Sequence, residues 1–299
     1  MNLRFLGTSA GELYPGIWCR CRRCESARRL GGRNLRQSAS ALVDGNTLID
    51  FPPEIVSQGW KWGVDFSALT TLLITHSHAD HFLPYLLRWR ARPDVLSEDP
   101  PPVKSAPRFT PLPTLHVYGN AAVEARLRAE LGGDPSWCDV EFTRVQAFLP
   151  FRAGDLTVTP VAANHDLGRE EAFNFVVEGR GATIFYGLDS DFPLPETWEA
   201  FTAHRFDLMI FEATFGLGDG RNHMNFARLR HTAGRIRESN LIREGGTLVA
   251  SHFSPHHCPD HEQCEQLLRP HGVGAAYDGM EWASQADNAN ATSPAKSLS

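Results

Sequence analysis

The sequence predicts an α/β fold built as a four-layer αββα sandwich, and two observations carry this prediction. Strand-like segments recur in two halves of the chain, the second beginning at about residue 140, and helix-like stretches lie between some of them. Within the first half, Asp44-Gly45-Asn46 is a turn signal typical of a β-hairpin. Two β-rich halves are expected to form two sheets packed face to face, with the helices outside.

The strand-like segments are short runs rich in apolar residues, and many of them end on Asp, Thr, His or Ser just before a turn. In chain order they are Asn2–Thr8, Ala39–Val43, Thr47–Asp50, Leu72–Thr75, Leu115–Tyr118, Leu156–Val161, Phe173–Glu178, Thr183–Tyr186, Asp207–Phe211, Gly246–Ser251 and Gly274–Tyr277. Because α/β proteins carry their chemistry on loops positioned by rigid elements, the residues that follow these segments are the candidates for a functional site.

Three stretches have the signals of helices. Residues 121–131 follow Asn120, whose side chain suits the N-cap position, and residues 225–240 follow a polar turn. A third helix is expected at residues 260–269, beginning at Asp260.

We expect a single domain over residues 1–283, because a chain of 299 residues fits one large α/β domain. The proline-rich residues 92–114 are interpreted as a long loop near the site, and residues 284–299 as a disordered tail. Trp60 and Trp62 are expected to pack beneath a loop rather than to stack on a substrate.

Charge and hydropathy exclude several classes of protein. The net charge of −6, with an isoelectric point near 6.1, argues against nucleic-acid binding by the whole surface. No apolar run is long enough to span a bilayer, and the amino-terminal residues enter a strand-like pattern without the features of a signal peptide. A cytoplasmic protein without a membrane partner is therefore expected.

Residues 20–36 carry a local excess of positive charge, with Glu25 as their only acid. The arginines are Arg20, Arg22, Arg23, Arg28, Arg29, Arg33 and Arg36. Such a run is typical of a solvated face, and the alternative is a rim that attracts a phosphate-bearing substrate.

The segment Thr75-His76-Ser77-His78-Ala79-Asp80-His81 places four potential metal ligands directly after an apolar run. Where a strand ends in a tight loop, the alternate residues His76 and His78 face one metal, while Asp80 and His81 turn toward a second. Imidazole nitrogen and carboxylate oxygen are ligands suited to zinc, manganese or iron. The motif therefore predicts a metal site.

This motif resembles the H-x-H-x-D-H signature of the metallo-β-lactamase superfamily, and further signature positions follow in the expected order. They are His165, Asp189 and His252, each placed after a strand-like segment. The resemblance implies the αββα fold and two divalent metal ions in the active site, either zinc, manganese or iron. One ion is implied on His76, His78, His165 and Asp189, and the other on Asp80, His81, His252 and Asp189. Asp191 is the alternative to Asp189, which we prefer because it directly follows the strand.

Three of the six cysteines form a second cluster, Cys19, Cys21 and Cys24, in the spacing C-x-C-x-x-C. In a cytoplasmic chain, clustered thiols indicate a metal rather than disulfides. Structural zinc takes four ligands, so the loop at residues 19–24 predicts a structural zinc whose fourth ligand lies elsewhere in the chain.

The cysteine loop also carries a narrower resemblance, to the phosphoribosyl 1,2-cyclic phosphate phosphodiesterase family of phosphonate breakdown. The similar segments are the Gly-Thr-Ser turn at 7–9, the cysteine loop, Gln-Ser-Ala-Ser at 37–40, Arg-Asn-His-Met-Asn at 221–225 and Asp-Gly-Met-Glu at 278–281. The resemblance covers about residues 3–282 and implies, on family grounds alone, a homodimer.

Two further residues are assigned through this family. Its fourth zinc ligand is a histidine three residues after the last active-site histidine, a position that Pro255 occupies here. We assign His256 instead, with His257 and Cys258 as alternatives. His223 resembles the family's histidine that contacts the phosphate and can protonate the leaving alkoxide, a role that suits an imidazole at neutral pH.

These residues together predict a dinuclear metal-dependent hydrolase, specifically a phosphodiesterase that cleaves small cyclic or nucleotide-like phosphodiesters with metal-activated water. The predicted catalytic residues are His223, Asp80 and Asp189. The alternatives are an RNase Z-like nuclease, a lactone or thioester hydrolase, and a non-catalytic binding protein on the same scaffold. The acidic balance counts against the nuclease, and the complete ligand set counts against the binding protein.

Overall fold

Two seven-stranded sheets organise the computed structural model, which describes residues 1–90 and 112–285. In spatial order, the first sheet consists of β14 (Glu281–Ala283), β1 (Asn2–Gly7), β2 (Ser40–Val43), β3 (Thr47–Ile49), β4 (Thr71–Leu73), β5 (Leu115–Gly119) and β6 (Val140–Arg144). The pairs from β14 to β3 are antiparallel, and those from β3 to β6 are parallel. The predicted hairpin therefore joins β2 to β3.

The second sheet mirrors this arrangement. In spatial order it consists of β13 (Val273–Ala275), β12 (Ile242–Ser251), β11 (Phe206–Glu212), β10 (Ala182–Gly187), β9 (Phe173–Gly179), β8 (Leu156–Ala162) and β7 (Phe151–Ala153). Strands β10 to β13 are parallel, so their carboxyl ends meet at one edge of the sheet. The strands from β7 to β10 pair antiparallel.

Helices flank both sheets. They are α1 (Arg22–Leu30), α2 (Ile55–Trp62), α3 (Ala121–Glu130), α4 (Pro195–Phe201), α5 (Phe226–Glu238) and α6 (His261–Leu268). Short 3₁₀ turns lie at Gly32–Asn34, Phe66–Ala68, Pro84–Arg90, Pro135–Cys138 and Arg269–His271. The three helices predicted from sequence are α3, α5 and α6, and each begins where a side-chain oxygen of its N-cap, Asn120, Asn225 or Asp260, accepts a backbone N–H of the first turn.

Three hydrophobic clusters show how the layers stack. A central cluster joins residues of both sheets, such as Phe5 and Ile49 of the first with Phe175 and Ile184 of the second. A second cluster packs α4, α5 and α6 on the outer face of the second sheet, and a third packs α2 and α3 on the outer face of the first. Each sheet is therefore buried on both faces, which confirms the predicted four-layer αββα sandwich.

The sequence analysis did not predict six of the helices and strands, which are α1, α2, α4, β6, β7 and β14. Helix α1 buries only Cys24 and Ala27, so it has little apolar periodicity to detect. Strands β7 and β14 have three residues each, and β14 exists because it pairs with β1 from the other end of the chain. Contacts between distant parts of the chain fix these elements.

Of the predicted loop at 92–114, residues 92–111 lie outside the described residues, as do residues 286–299 of the predicted tail. Trp62 is packed, as expected, and its Nε1 donates to the carbonyl of Leu6 at 3.2 Å. The expectation for Trp60 is wrong, because its side chain is 83% exposed. No helix among the described residues has the length and apolarity that a membrane span requires.

Candidate metal centre and catalytic pocket

The predicted metal ligands all follow the carboxyl ends of strands and converge between the two sheets. The loop after β4 carries the motif from His76 to His81, while His165 follows β8, Asp189 follows β10 and His252 follows β12. Asp189 and His252 adopt positive φ angles of 45° and 57°. Non-glycine residues rarely take this conformation, and it is held where the surrounding structure over-determines it, often at functional sites.

The structure brings these side chains into two adjoining groups. In one, the nitrogen donors of His76, His78 and His165 lie within 4.8 Å of one another. In the other, donor atoms of Asp80, His81, Asp189 and His252 meet the same limit. The first group contains three of the four residues predicted for one ion, without Asp189, and the second contains the four residues predicted for the other.

The Asp189 carboxylate contacts both groups. Its Oδ2 lies 2.6 Å from Nε2 of His81 and 3.4 Å from Nε2 of His76, and its Oδ1 lies 3.4 Å from Nδ1 of His252. Asp191, the alternative, turns away and accepts a hydrogen bond from Arg228 at 3.0 Å. A carboxylate between two clusters of imidazoles has the position required to bridge two cations.

Unpartnered nitrogen atoms supply the test of whether a metal fits. Four buried ring nitrogens make no hydrogen bond of good geometry among the described residues, although Asp189 Oδ2 lies near two of them; they are His76 Nε2, His81 Nε2, His165 Nδ1 and His252 Nε2. A buried polar atom without a partner is costly unless something binds it. Imidazole and carboxylate donors in this number suit divalent transition metals.

The pKa shifts of three of the four buried histidines are consistent with this fit. Burial holds the pKa of His76, His165 and His252 below the usual value, which favours the neutral form that binds metal. Burial opposes the charged form of His81 as well, but the carboxylates of Asp189 and Asp80 raise its pKa well above the usual range. The centre thus concentrates negative charge and lone pairs in one buried place.

Asp50, which the sequence analysis did not select, orients His81 from behind. Its Oδ2 accepts a hydrogen bond from His81 Nδ1 at 2.7 Å, and its Oδ1 accepts from the backbone N–H and hydroxyl of Thr75, each at 2.9 Å. The carboxylate is fully buried. This contact fixes the ring so that Nε2 faces the centre, as carboxylates commonly do for metal-binding histidines.

A second missed acid, Glu170, holds the other side of the motif loop. It accepts the backbone N–H of Ser77 at 2.8 Å and its hydroxyl at 2.6 Å, while Asn120 donates to it at 2.7 Å. Glu170 belongs to the loop that also carries His165. The contact therefore ties together the two loops that supply the first histidine group.

His223 stands beside the centre and pairs with a third missed acid, Glu212, the last residue of β11. Nδ1 of His223 donates to Glu212 Oε1 at 2.8 Å and lies 3.4 Å from Asp189 Oδ1. Burial lowers the pKa of His223, but the hydrogen bond and charge of Glu212 outweigh it and raise that pKa to about 9. Glu212 is itself fully buried and accepts the backbone N–H groups of Ser190 and Thr214.

His223 and several of the candidate metal donors line an open pocket of about 380 Å³. Its walls come from both halves of the chain: Ala10, Gly11, Glu12, His78, Asp80, His165, Asp189, Thr214, Phe215, His223, His252, Ser254, His256 and His257. A cavity of this size accepts a small molecule.

The predicted zinc loop lies next to this pocket. Donor atoms of Cys19, Cys21 and His256 lie within 4.8 Å of one another, and Nδ1 of His256 is 3.9 Å from Sγ of Cys19. Cys24 is buried beneath them, and burial, together with the neighbouring thiols, raises its pKa to about 12. For Cys21, hydrogen bonds from backbone and thiol groups outweigh burial and lower the pKa to about 7.

The alternatives to His256 point elsewhere. The ring of His257 packs against Phe215, with centroids 5.0 Å apart, and lines the pocket. Cys258 is buried, and its thiol donates to the carbonyl of Ala213 at 3.3 Å. Of the three candidates, His256 has its ring among the cysteines.

The seven arginines of residues 20–36 do not all lie on the surface. Six of its members are exposed, but Arg36 is buried, so the description of the whole run as a surface feature is wrong for that residue. Its guanidinium donates to Thr8 Oγ1 at 2.8 Å and to the carbonyl of Ala276, and stacks on Phe253. Arg36 is therefore a structural cation under the strand ends.

Comparison with known proteins gives one family match and several similar folds. The family described as "Beta-lactamase superfamily domain" matches residues 46–253, which include all of the candidate metal ligands of the pocket. No curated protein sequence matches the chain.

Three solved structures illustrate which proteins have a similar fold. A diphosphatase from the PhnP family has a TM-score of 0.72 and 21% identity, with 94% of this chain and 96% of that chain covered. Zinc-bound PqqB from Methylobacterium extorquens has a TM-score of 0.72 and 17% identity, with 95% and 100% covered. The short form of human tRNase Z has a TM-score of 0.61 and 18% identity, with 95% and 99% covered.

Proposed function

We propose that this chain, which belongs to the β-lactamase superfamily and is a metal-dependent hydrolase, is a dinuclear phosphodiesterase for small cyclic or nucleotide-like phosphodiesters. The observation that carries this proposal is the His223–Glu212 pair beside two adjoining groups of metal donors. Donors for cations and a fixed proton donor together suit the breaking of a phosphorus–oxygen bond.

The metal ligands that we propose are those predicted from sequence. His76, His78, His165 and Asp189 would hold one divalent ion, and Asp80, His81, His252 and Asp189 the other, as zinc, manganese or iron. When bound, such a pair supplies a water nucleophile of lowered pKa and positive charge for the phosphoryl oxygens. Cys19, Cys21, Cys24 and His256 would hold a structural zinc that closes the neighbouring loop.

His223 acts as the general acid in this proposal. With Nδ1 bonded to Glu212, its second ring nitrogen is left to face the substrate, and the Glu212 carboxylate raises the pKa of His223 and so favours the protonated ring. It donates that proton to the leaving alkoxide. Buried Glu212 holds the ring in place and stabilises its positive charge, as the buried aspartate does in a catalytic triad.

Pocket size and charge favour a small substrate over a nucleic acid. A volume of about 380 Å³ fits a mononucleotide-sized ligand, and the net charge of −6 disfavours a polyanion such as transfer RNA. A diphosphate ester is a second candidate, supported by similarity to the diphosphatase from the PhnP family. Cytoplasmic location and a homodimer remain predictions from the sequence.

The proposal is tested by hydrolysis of bis(p-nitrophenyl) phosphate by protein stripped of metal and reloaded with manganese or zinc. We expect turnover that depends on the metal and that falls steeply in His76→Ala. A lactone and a thioester substrate are assayed in parallel. Turnover of either of these, with none of the diester, would overturn the phosphodiesterase assignment.

A further inference from the structure

The pocket wall formed by Glu12, Ser254 and His256 has no part in the hydrolysis described above, although His256 is also the proposed fourth ligand of the structural zinc. Glu12 lines the same pocket as Asp80 and His223. The backbone of Gly11, the residue before Glu12, lies close to the candidate metal centre, because a Cβ on Gly11 would lie 2.8 Å from Oδ2 of Asp80. The carboxylate of Glu12 therefore stands within reach of a substrate whose phosphate occupies the centre.

Two contacts hold this carboxylate in place. Oε1 of Glu12 lies 3.3 Å from Nε2 of His256, and Oε2 accepts a hydrogen bond from the hydroxyl of Ser254 at 3.1 Å. The Ser254 hydroxyl in turn accepts the backbone N–H of His256 at 3.3 Å. The other nitrogen of His256 faces Cys19, so a continuous set of contacts runs from the cysteine loop to the pocket.

We propose that Glu12 is a specificity residue that accepts hydrogen bonds from hydroxyl groups on the non-reacting part of the substrate, such as the vicinal hydroxyls of a sugar. This inference rests on the proposed function. An ionised carboxylate only accepts hydrogen bonds, and its two oxygens suit a pair of adjacent hydroxyls. Dinucleotide-binding proteins use an acidic side chain on ribose hydroxyls in the same way.

The chemistry of this wall favours hydroxyls over other groups. A second phosphate would meet the like charge of Glu12. Each oxygen of Glu12 already contacts His256 or Ser254, which reduces the charge left for an ammonium group but leaves lone pairs free. Among the described residues, Glu12 is absent from the donor groups that could hold an ion, so its carboxylate is available to the substrate.

The side chain of Glu12 is 53% exposed, so each hydrogen bond competes with water and the expected discrimination is modest. We expect a preference of about tenfold in kcat/KM for a substrate with both hydroxyls, which corresponds to about 1.4 kcal/mol. His256 acts as a positioning residue, because it touches Glu12 and not the reacting atoms.

The test compares two substrates with the same scissile bond, the 5′-(p-nitrophenyl) phosphate esters of adenosine and of 2′,3′-dideoxyadenosine. We expect the wild-type protein to prefer the ribose ester, and Glu12→Ala to remove the preference. Glu12→Gln, which keeps the shape and one acceptor, should retain part of it. A calorimetric titration with adenosine and dideoxyadenosine 5′-monophosphates should show the same ratio in binding.

Glu141→Ala is the matched control. Glu141 is 65% exposed and lies 3.3 Å from a histidine, His116, but it belongs to β6, outside the pocket. This variant should keep the preference for the ribose ester. Ser254→Ala, which leaves the proposed zinc ligands in place, should weaken it with Glu12 still present, and thermal unfolding confirms that each variant folds.

The outcomes separate this inference from the proposed function. If the wild-type protein hydrolyses neither ester, the proposed function fails. If it hydrolyses both equally, or if Glu12→Ala keeps the preference, the hydroxyl assignment is overturned while the phosphodiesterase stands. A preference for 2-aminoethyl p-nitrophenyl phosphate that Glu12→Ala abolishes would assign an ammonium subsite instead and would also overturn it.

Discussion

Glu212 and His223 lie eleven residues apart in the chain and are joined by a hydrogen bond of 2.8 Å between Oε1 and Nδ1. Glu212 ends β11 and is fully buried, while His223 lies on the loop before α5. A buried carboxylate beside an imidazole favours the protonated ring and fixes its orientation. In the proposed function, this orientation presents the second ring nitrogen of His223 to the substrate as a general acid.

Replacing Glu212 with Gln should impair proton donation more than metal binding. With the negative charge gone, the pKa of His223 falls, so the loss of kcat at alkaline pH should begin at lower pH. We expect kcat/KM to fall about 100-fold for an ester with a phenol leaving group, and much less for the p-nitrophenol ester, which needs little protonation. Steady-state kinetics across pH on both esters measure this.

Metal content is the control, and it should match the wild-type protein. Equal losses on both esters would contradict the general-acid role of His223, because an effect on metal or folding does not depend on the leaving group.

Arg228 is expected to keep His223 in position. Its NH1 donates to the carbonyls of Gly220 at 2.9 Å and His223 at 3.0 Å and to Asp191, so one guanidinium ties α5 to the loop. Lysine keeps the charge, but its ammonium ends short of the position of NH1, and it has no second nitrogen to replace NH2, which donates to Asp219 at 3.0 Å. Arg228→Lys should lower kcat about tenfold with little change in KM, the loss expected for a misplaced catalytic group.

Arg237→Lys is the matched control, because Arg237 lies on the same helix and also donates to backbone carbonyls, those of His271 and Gly272. It should leave kcat unchanged. A rise in KM alone in Arg228→Lys would point to substrate binding and contradict a positioning role.

The sequence points to the candidate metal donors because each follows a strand, and the fold brings these side chains together. Strand ends are visible as apolar runs, and His165, Asp189 and His252 come next in the chain. The supporting acids are harder to predict. Asp50 and Glu212 also end strands, which is a signal, but only folding brings Asp50 to His81, 31 residues away, and Glu170 to Ser77, 93 residues away.

The dependence on contacts between distant parts of the chain also explains the wrong expectation for Arg36. Arg36 belongs by sequence to an exposed run, but its burial depends on Thr8 and Ala276, from opposite ends of the chain. The fold class survives such errors because it depends on many apolar runs, each of which tolerates misplaced boundaries. A polar contact, in contrast, forms only if the fold brings two particular side chains within hydrogen-bond distance.

Asp50→Asn should weaken metal binding without removing any proposed ligand. The amide cannot provide the charge that holds His81 Nδ1 at 2.7 Å. Loss of such a partner typically lowers metal affinity about 10- to 100-fold, and competition with a chelator measures this. Asp155→Asn, at an exposed turn, should have the wild-type affinity. Unchanged affinity in Asp50→Asn would contradict the orienting role.

His256 and His257 provide a test of the zinc loop with adjacent residues. His256 lies among the cysteines and His257 lines the pocket, so His256→Ala should lose one zinc per chain and His257→Ala none. Elemental analysis of the purified proteins measures this. Alkylation of Cys21, whose pKa is lowered to about 7, should become faster in His256→Ala as the thiolate is released. Loss of the zinc in His257→Ala alone would reverse the assignment.

Asp278 should give the fold a distinct pH dependence. Burial raises its pKa from 3.8 to about 6, although Thr8 and the backbone N–H of Gln37 donate to it. Between about pH 4 and 6 the folded state therefore holds more protons than the unfolded state, and the free energy of unfolding falls as pH rises. Asp278→Asn removes this component, so its stability relative to the wild-type protein should improve as pH increases across that window. Urea unfolding at several pH values measures the two slopes, with Asp155→Asn retaining the wild-type slope. A wild-type stability that rises with pH more steeply than that of Asp278→Asn would show that Arg36 keeps the carboxylate ionised and would refute the prediction.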